Sequence, residues 1–164
     1  PVIGVSPGAA YGGAKRWPPE SFARAAEIVA SALGGKVAVF GSMGERPTAQ
    51  LLADSLAVRG VGVRNLAGET SLSRFIELAA ACRVFLTNDS GAMHVASVLG
   101  VPTVAVFGAT DPEATGPLGP ASRVIMDPAD CAPCLLRECP TDHRCMTRVT
   151  PERVAAEALD LLKW

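Results

Sequence analysis

The sequence predicts an α/β fold built on a parallel, doubly wound sheet. Three observations carry that prediction. Short β-branched runs alternate with segments of helical period along the whole chain. The apolar runs are continuous rather than alternating, as in strands buried on both faces. The chain has 164 residues, 49% hydrophobic and 19% charged, which suits a single core, residues 1–164, and excludes disorder.

The elements follow in order. Val2-Ile3-Gly4-Val5 reads as a strand, and a glycine-rich loop runs from Pro7 to Gly13. Pro18-Pro19-Glu20 opens a helix, since proline suits a first turn. Phe22, Ala25, Ala26, Val29 and Leu33 recur at helical spacing, and Gly34-Gly35 stops them. Val37 to Phe40 is the second strand. A helix from about Pro47 to Val58 presents Leu51, Leu52 and Leu56, and Val61 to Leu66 is the third strand. Thr70 or Ser71 caps a helix carrying Leu72, Phe75, Ile76 and Leu78. Val84 to Leu86, a helix from Gly91 to Leu99, Val101 to Phe107 and Arg123 to Met126 continue the alternation. Thr150-Pro151-Glu152 caps a last helix, with Val154, Leu159 and Leu162 inward.

Charge is balanced, fifteen basic residues against sixteen acidic, and no basic stripe points to nucleic acid. No apolar run reaches membrane-span length and no signal peptide opens the chain, so any membrane contact is expected to be peripheral. The first residues already read as a buried strand without a starting Met. The expectation is a domain of a longer protein.

Ligands of such sheets bind beyond the carboxyl ends of the strands. Four loops fall there: Ser6–Trp17, Gly41–Arg46, Ala67–Thr70 and Thr87–His94. Gly4-Val5-Ser6-Pro7-Gly8 matches the G-x-S-x-G of hydrolases, but Pro7 has no N–H to give an oxyanion hole. Ser6 and Gly8 are instead expected at a tight turn where backbone approaches a ligand. Lys15 is one of only three lysines beside twelve arginines, placed between the glycine loop and a helix start, where an ammonium suits a phosphate. In Thr87–His94 a strand ends in polar residues and Gly91 opens a helix, whose N-terminus offers N–H groups and a positive dipole end. Asp89 would repel a phosphate, so it is expected to cap the helix, hold a sugar hydroxyl or pair with a cation. His94 lies one turn into that helix. Asn88-Asp89-Ser90 also spells a glycosylation sequon, an accidental match at the end of a buried strand. The dinucleotide fingerprint, the P-loop and an Asp-x-Asp pair are all missing from the sequence.

Cys131, Cys134, Cys139 and Cys145 crowd into one segment, residues 131–145. The spacing C-x2-C-x4-C-x5-C could supply four soft ligands to a structural Zn or Fe, with His143 as a substitute. Free thiols packing a loop, or a disulfide, are the alternatives.

Together, Ser6-Pro7-Gly8-Ala9, Ala14-Lys15-Arg16-Trp17-Pro18, Phe40-Gly41-Ser42, Asn88 to His94, Val106 to Pro112 and the cysteine cluster resemble the lipopolysaccharide heptosyltransferases of glycosyltransferase family 9. The resemblance runs in order over essentially the whole chain. It implies the Rossmann-like, nucleotide-sugar-binding C-terminal domain of a bacterial GT-B enzyme, with the acceptor domain and its catalytic base elsewhere. It implies ADP-L-glycero-D-manno-heptose as donor and a lipid A–Kdo–heptose acceptor, met at the cytoplasmic face of the inner membrane. Transfer would invert the anomeric centre and need no metal cofactor. Residue by residue, Lys15 would neutralise the diphosphate and stabilise the leaving group. Glu45 would hold the ribose. Leu66, Gly68 and Thr70 would line the adenine pocket, and Asp89, Ser90, Gly91 and His94 would contact diphosphate and heptose. This chain alone is expected to hold donor without turning it over. Two other readings stay open: a GT-B transferase or epimerase using a uridine nucleotide, and a metal-stabilised nucleotide-binding module without catalysis.

Overall fold

Six strands form one parallel sheet in the computed structural model, which describes residues 1–163. The strands are β1 (Val2–Ser6), β2 (Lys36–Val39), β3 (Val63–Asn65), β4 (Val84–Asn88), β5 (Thr103–Phe107) and β6 (Ser122–Met126). Their order is β3-β2-β1-β4-β5-β6. The chain therefore reverses its direction of travel between β1 and β4, which pair from Ile3 opposite Val84 to Ser6 opposite Thr87. That reversal leaves a crevice beyond the carboxyl ends of these two strands.

Each of the first five strands is followed by a crossover containing a helix. α1 (Pro19–Leu33), α2 (Arg46–Val58) and α7 (Pro151–Leu161) cover one face of the sheet; α3 (Leu72–Ala80) and α4 (Gly91–Val98) cover the other. Two further one-turn helices are α5 (Pro112–Thr115) and α6 (Arg144–Thr147). Side chains alternate along each central strand. Ile3, Val5, Val84, Leu86, Val104 and Val106 join the first core, while Phe85 meets Phe40 and Phe75 in the second. β4 and β5 are buried along their whole length, which is why their sequences are continuously apolar.

Local signals set the helix ends. α1 starts with Pro19 and stops at Gly34, whose left-handed φ of 63° lets its N–H reach Ala30 O. Of the two caps expected for α3, it is Ser71 whose hydroxyl accepts from Arg74 N at 3.1 Å. Thr150 caps α7 through Arg153 N at 3.3 Å.

Some expectations change. Leu51 points outward at 65% exposure, because α2 packs through Ala49, Leu52, Ala53 and Leu56, a stripe that position 51 misses by one residue. Leu72 is also exposed, and β3 is three residues long rather than six. In α7 Leu161 is buried, with Leu159 and Leu162 packed at the margin of the core.

One buried amide holds the carboxyl ends of the strands in place. Asn88, fully buried, donates from Nδ2 to Pro7 O at 2.8 Å and accepts at Oδ1 from Trp17 N at 3.0 Å. It thus joins β4 to both ends of the glycine loop. Burial also removes it as a glycosylation acceptor in the folded chain. Trp17 is fixed in turn by its indole N–H on Val149 O at 3.1 Å and by its edge contact with Phe22. Asn88→Ala leaves two buried backbone groups without partners and is expected to cost about 2–4 kcal/mol in urea unfolding. A loss below about 1 kcal/mol would contradict this role for Asn88.

Candidate functional site

The crevice at the β1/β4 reversal is a cavity of about 420 Å³. Its apolar side is Phe40, Leu72, Phe75 and Val95; Ser6, Ser42, Glu45, Thr70 and Ser90 give it polar groups. The exposure of Leu72 thus has a place: it is a wall of this crevice and not part of the core. Phe40 and Phe75 meet edge to face at 5.3 Å between centroids, so the apolar wall is a fixed aromatic surface.

The loop after β1 forms the floor. A Cβ at Gly8 would stand where the Glu45 carboxylate lies, so glycine lets that carboxylate rest against the loop. Glu45 is half-buried, and its Oε2 accepts from Ser42 N at 2.7 Å, which fixes the carboxylate at the rim.

The loop after β4 supplies the second polar end. Ser90 is the residue before α4, but its hydroxyl lies 3.2 Å from Thr87 Oγ1 and caps nothing. The N–H groups of the first turn therefore have no side-chain cap. Gly91 has open space where a side chain would stand. This is a helix N-terminus left available for an anion.

Lys15 and Asp89 stand next to that terminus as an ion pair, Nζ to Oδ2 2.9 Å, with side chains 14% and 5% exposed. Of the three roles expected for Asp89, the structure shows pairing with a cation and no helix capping. The same Oδ2 accepts from Thr110 Oγ1 at 2.7 Å and Thr115 Oγ1 at 3.1 Å. Among the described residues Oδ1 has no hydrogen-bond donor. A carboxylate this buried must be paired, and the three donors fix it.

The structure brings Ser6, Gly8, Glu45, Thr70, Ser90 and Gly91 to the crevice, with Lys15 and Asp89 beside it. Three expected residues do not line it. Leu66 packs with the phenylalanine cluster. Gly68 makes a left-handed turn against Met43, with φ 75°. His94 is half-buried on α4, one turn behind the open end. The sequence reading missed Phe40, Leu72 and Phe75 as site residues and Thr110 and Thr115 as supports for Asp89. The Thr-Asp-Pro turn at 110–112 was the available signal for the last two.

The cysteine segment lies across the glycine loop as a strap. Ala14 N donates to Arg137 O at 2.9 Å and Gly13 N to Glu138 Oε1 at 3.0 Å. His143 Nε2 lies 2.9 Å from Ala14 O, and the Tyr11 hydroxyl donates to Leu135 O at 2.5 Å. Gly12, at φ 154°, has the Arg137 carbonyl where a side chain would be. Among the described residues no group of three or more His, Cys, Asp or Glu is arranged to hold a metal ion. Cys131 is exposed and Cys145 is buried with its sulfur against Gly108, and Cys131, Cys134 and Cys139 all lie near enough to Cys145 to raise its thiol. The His143 ring bonds the glycine loop.

The thiols differ in acidity. Hydrogen bonding from Thr141 holds Cys139 below the ordinary thiol range. Burial, then the neighbouring cysteines, raises Cys145. Burial pushes Cys82 up to about 12. Iodoacetamide in a pH series, read by peptide mass, should label Cys139 at a lower pH than Cys145 or Cys82, because only the thiolate reacts. Labelling of Cys145 first would contradict this packing of the strap.

The family model described as "Glycosyltransferase family 9 (heptosyltransferase)" matches residues 1–144. The chain is 36% identical over 166 residues to lipooligosaccharide heptosyltransferase 2 of Campylobacter jejuni, covering 99% of this chain and 51% of that protein. It is 37% identical over 171 residues to lipopolysaccharide heptosyltransferase 2 of Escherichia coli K12, covering 99% and 47%. The solved structure of E. coli ADP-heptose lps heptosyltransferase II superposes with a TM-score of 0.80 at 36% identity, over 99% of this chain and 46% of that one. The chain spans about half the length of the curated relatives it matches. Fold, site and sequence together make the chain a member of glycosyltransferase family 9.

Proposed function

We propose that this chain holds the donor, ADP-L-glycero-D-manno-heptose, for transfer of heptose to the lipopolysaccharide inner core. One observation carries the reading: an aromatic wall, a rim carboxylate and an uncapped helix N-terminus line one crevice, with a lysine paired to the residue before that terminus. A nucleoside diphosphate has the matching sequence of parts. The base would lie against Phe40, Leu72 and Phe75, the ribose hydroxyls at Glu45, and the diphosphate at Ser90, Gly91 and Lys15. The solved E. coli relative is an ADP-heptose enzyme, which supports adenine over uracil, and the relatives are heptosyltransferases 2, which supports the second heptose over the first.

In the proposed reaction an acceptor hydroxyl attacks the anomeric carbon from the face opposite ADP. The C–O bond to the diphosphate breaks with inversion, and the leaving oxygen gains negative charge. Lys15 and the N–H groups of α4 would meet that charge. Asp89 keeps the lysine in place before the donor arrives. Its Oδ1 remains available to a sugar hydroxyl. The base that takes the acceptor proton would come from the part of the relatives that this chain does not span. His94, behind the open end of α4, has no part in that step. The acceptor, lipid A–Kdo–heptose, would be met peripherally at the cytoplasmic side of the inner membrane. Among the described residues no helix is long and apolar enough to cross a membrane.

Calorimetric titration tests the donor reading. ADP is expected to bind the 164-residue chain saturably and more tightly than UDP, with no heptose transferred by this chain alone. Tighter UDP binding would assign it to a uridine nucleotide, and no nucleotide binding would support a binding module of another kind. In an enzyme containing this chain, Lys15→Ala should cut turnover roughly 10²–10³-fold and weaken ADP less. Equal losses in turnover and ADP affinity, with Lys15→Arg fully active, would contradict a transition-state role.

A further inference from the structure

Lys15 touches one group that the donor reading does not use. Its Nζ lies 4.8 Å from the centroid of the Tyr11 ring, and the Arg137 guanidinium lies over the same ring at 5.1 Å. Tyr11 is the single tyrosine of the chain. Its hydroxyl is tied to Leu135 O on the strap. Leu135 N in turn donates to Ala109 O at 2.8 Å. The next residue, Thr110, is the one that holds Asp89. Contacts thus run in a closed circuit from Lys15 to Asp89, Thr110, Leu135, Tyr11 and back to Lys15.

We propose that Tyr11 is a positioning residue for Lys15, holding its ammonium at the diphosphate end of the crevice. The inference rests on the donor reading above. A lysine has a flexible four-carbon stem, and one ion pair leaves that stem several rotamers. A second carboxylate would confine it further but would repel the diphosphate. An aromatic face attracts the ammonium through its quadrupole and adds no net charge. When a diphosphate draws the ammonium from Asp89, the ring stays as a partner that does not compete with the phosphate for charge. The strap matters because it fixes the ring: Tyr11 is an exposed side chain on a glycine loop, and its bond to Leu135 O anchors it there.

The test is a double-mutant cycle on the 164-residue chain, titrated with ADP and with adenosine. Tyr11→Leu should weaken ADP about 3–10-fold, the range of a partly desolvated cation–π contact, and leave adenosine unchanged within about twofold. On a Lys15→Ala background the same substitution should cost less than about twofold. Tyr11→Phe keeps the ring and should stay closer to the parent than Tyr11→Leu. A direct readout needs no variant: the ring should shift the Lys15 ε-methylene proton resonances upfield of the other lysines. Normal Lys15 shifts would overturn the proposal, as would equal losses in both backgrounds or with both ligands. If the parent chain binds no ADP, the donor reading falls and this proposal with it; if it binds ADP but Lys15→Ala leaves that affinity unchanged, this proposal alone falls. If Lys15→Ala weakens ADP but Tyr11→Leu shows no coupling, Tyr11 alone loses its role.

Discussion

Two consecutive side chains at the end of β4 carry the site. Asn88 joins the strand to the glycine loop at Pro7 and Trp17, and Asp89 joins it to Lys15, Thr110 and Thr115. Both are buried, and each is polar. A buried carboxylate or amide is costly unless its partners are present, so this pair couples two separate loops, the glycine loop and the segment after β5, to one strand end. The crevice keeps its shape because those loops cannot move apart without stranding Asn88 or Asp89. The anion-binding character of the crevice follows from the same constraint. Asp89 holds the lysine, and Ser90, bonded back to Thr87, leaves the helix terminus open.

The strap adds a second layer to this junction. Its contacts are mostly to backbone: Gly13, Ala14 and Ala109 are bonded to Glu138, Arg137, His143 and Leu135. Such bonds do not depend on the identity of the loop side chains, but they do demand small residues where the chains cross, as at Gly12. A segment rich in cysteine, proline and glycine-facing carbonyls here acts as a brace for the loop that carries Lys15.

Much of this was legible in the sequence because the signals are local. Strand and helix alternation gave the sheet, and the polar ends of the first and fourth strands located the crevice. Lys15 stood out by rarity, and the reluctance of Asp89 to face a phosphate left three roles open, a helix cap, a sugar hydroxyl and a cation, of which the fold shows the cation. The two misjudged leucines show where local pattern stops. Leu51 sits one residue off the stripe that α2 buries, and Leu72 follows a helix cap yet turns to the crevice. The strap was not legible at all as a brace. Tyr11 and Leu135 are 124 residues apart, Gly13 and Glu138 125, and no periodicity records such a meeting. The cysteine spacing left metal ligation, free thiols and a disulfide open, and none of these readings foretold that the segment would cross the glycine loop.

The central claim is that a diphosphate sits between Lys15 and the open end of α4. Amide NMR of the 164-residue chain during titration with ADP and with adenosine tests it most directly. ADP should shift the N–H resonances of Gly91, Ala92 and Met93, together with the Lys15 side chain, saturably and with one affinity, while adenosine should move the neighbours of Phe40, Phe75 and Glu45 and leave Gly91 to Met93 and Lys15 in place. Saturable ADP binding that leaves Gly91 to Met93 and Lys15 unmoved would contradict the claim.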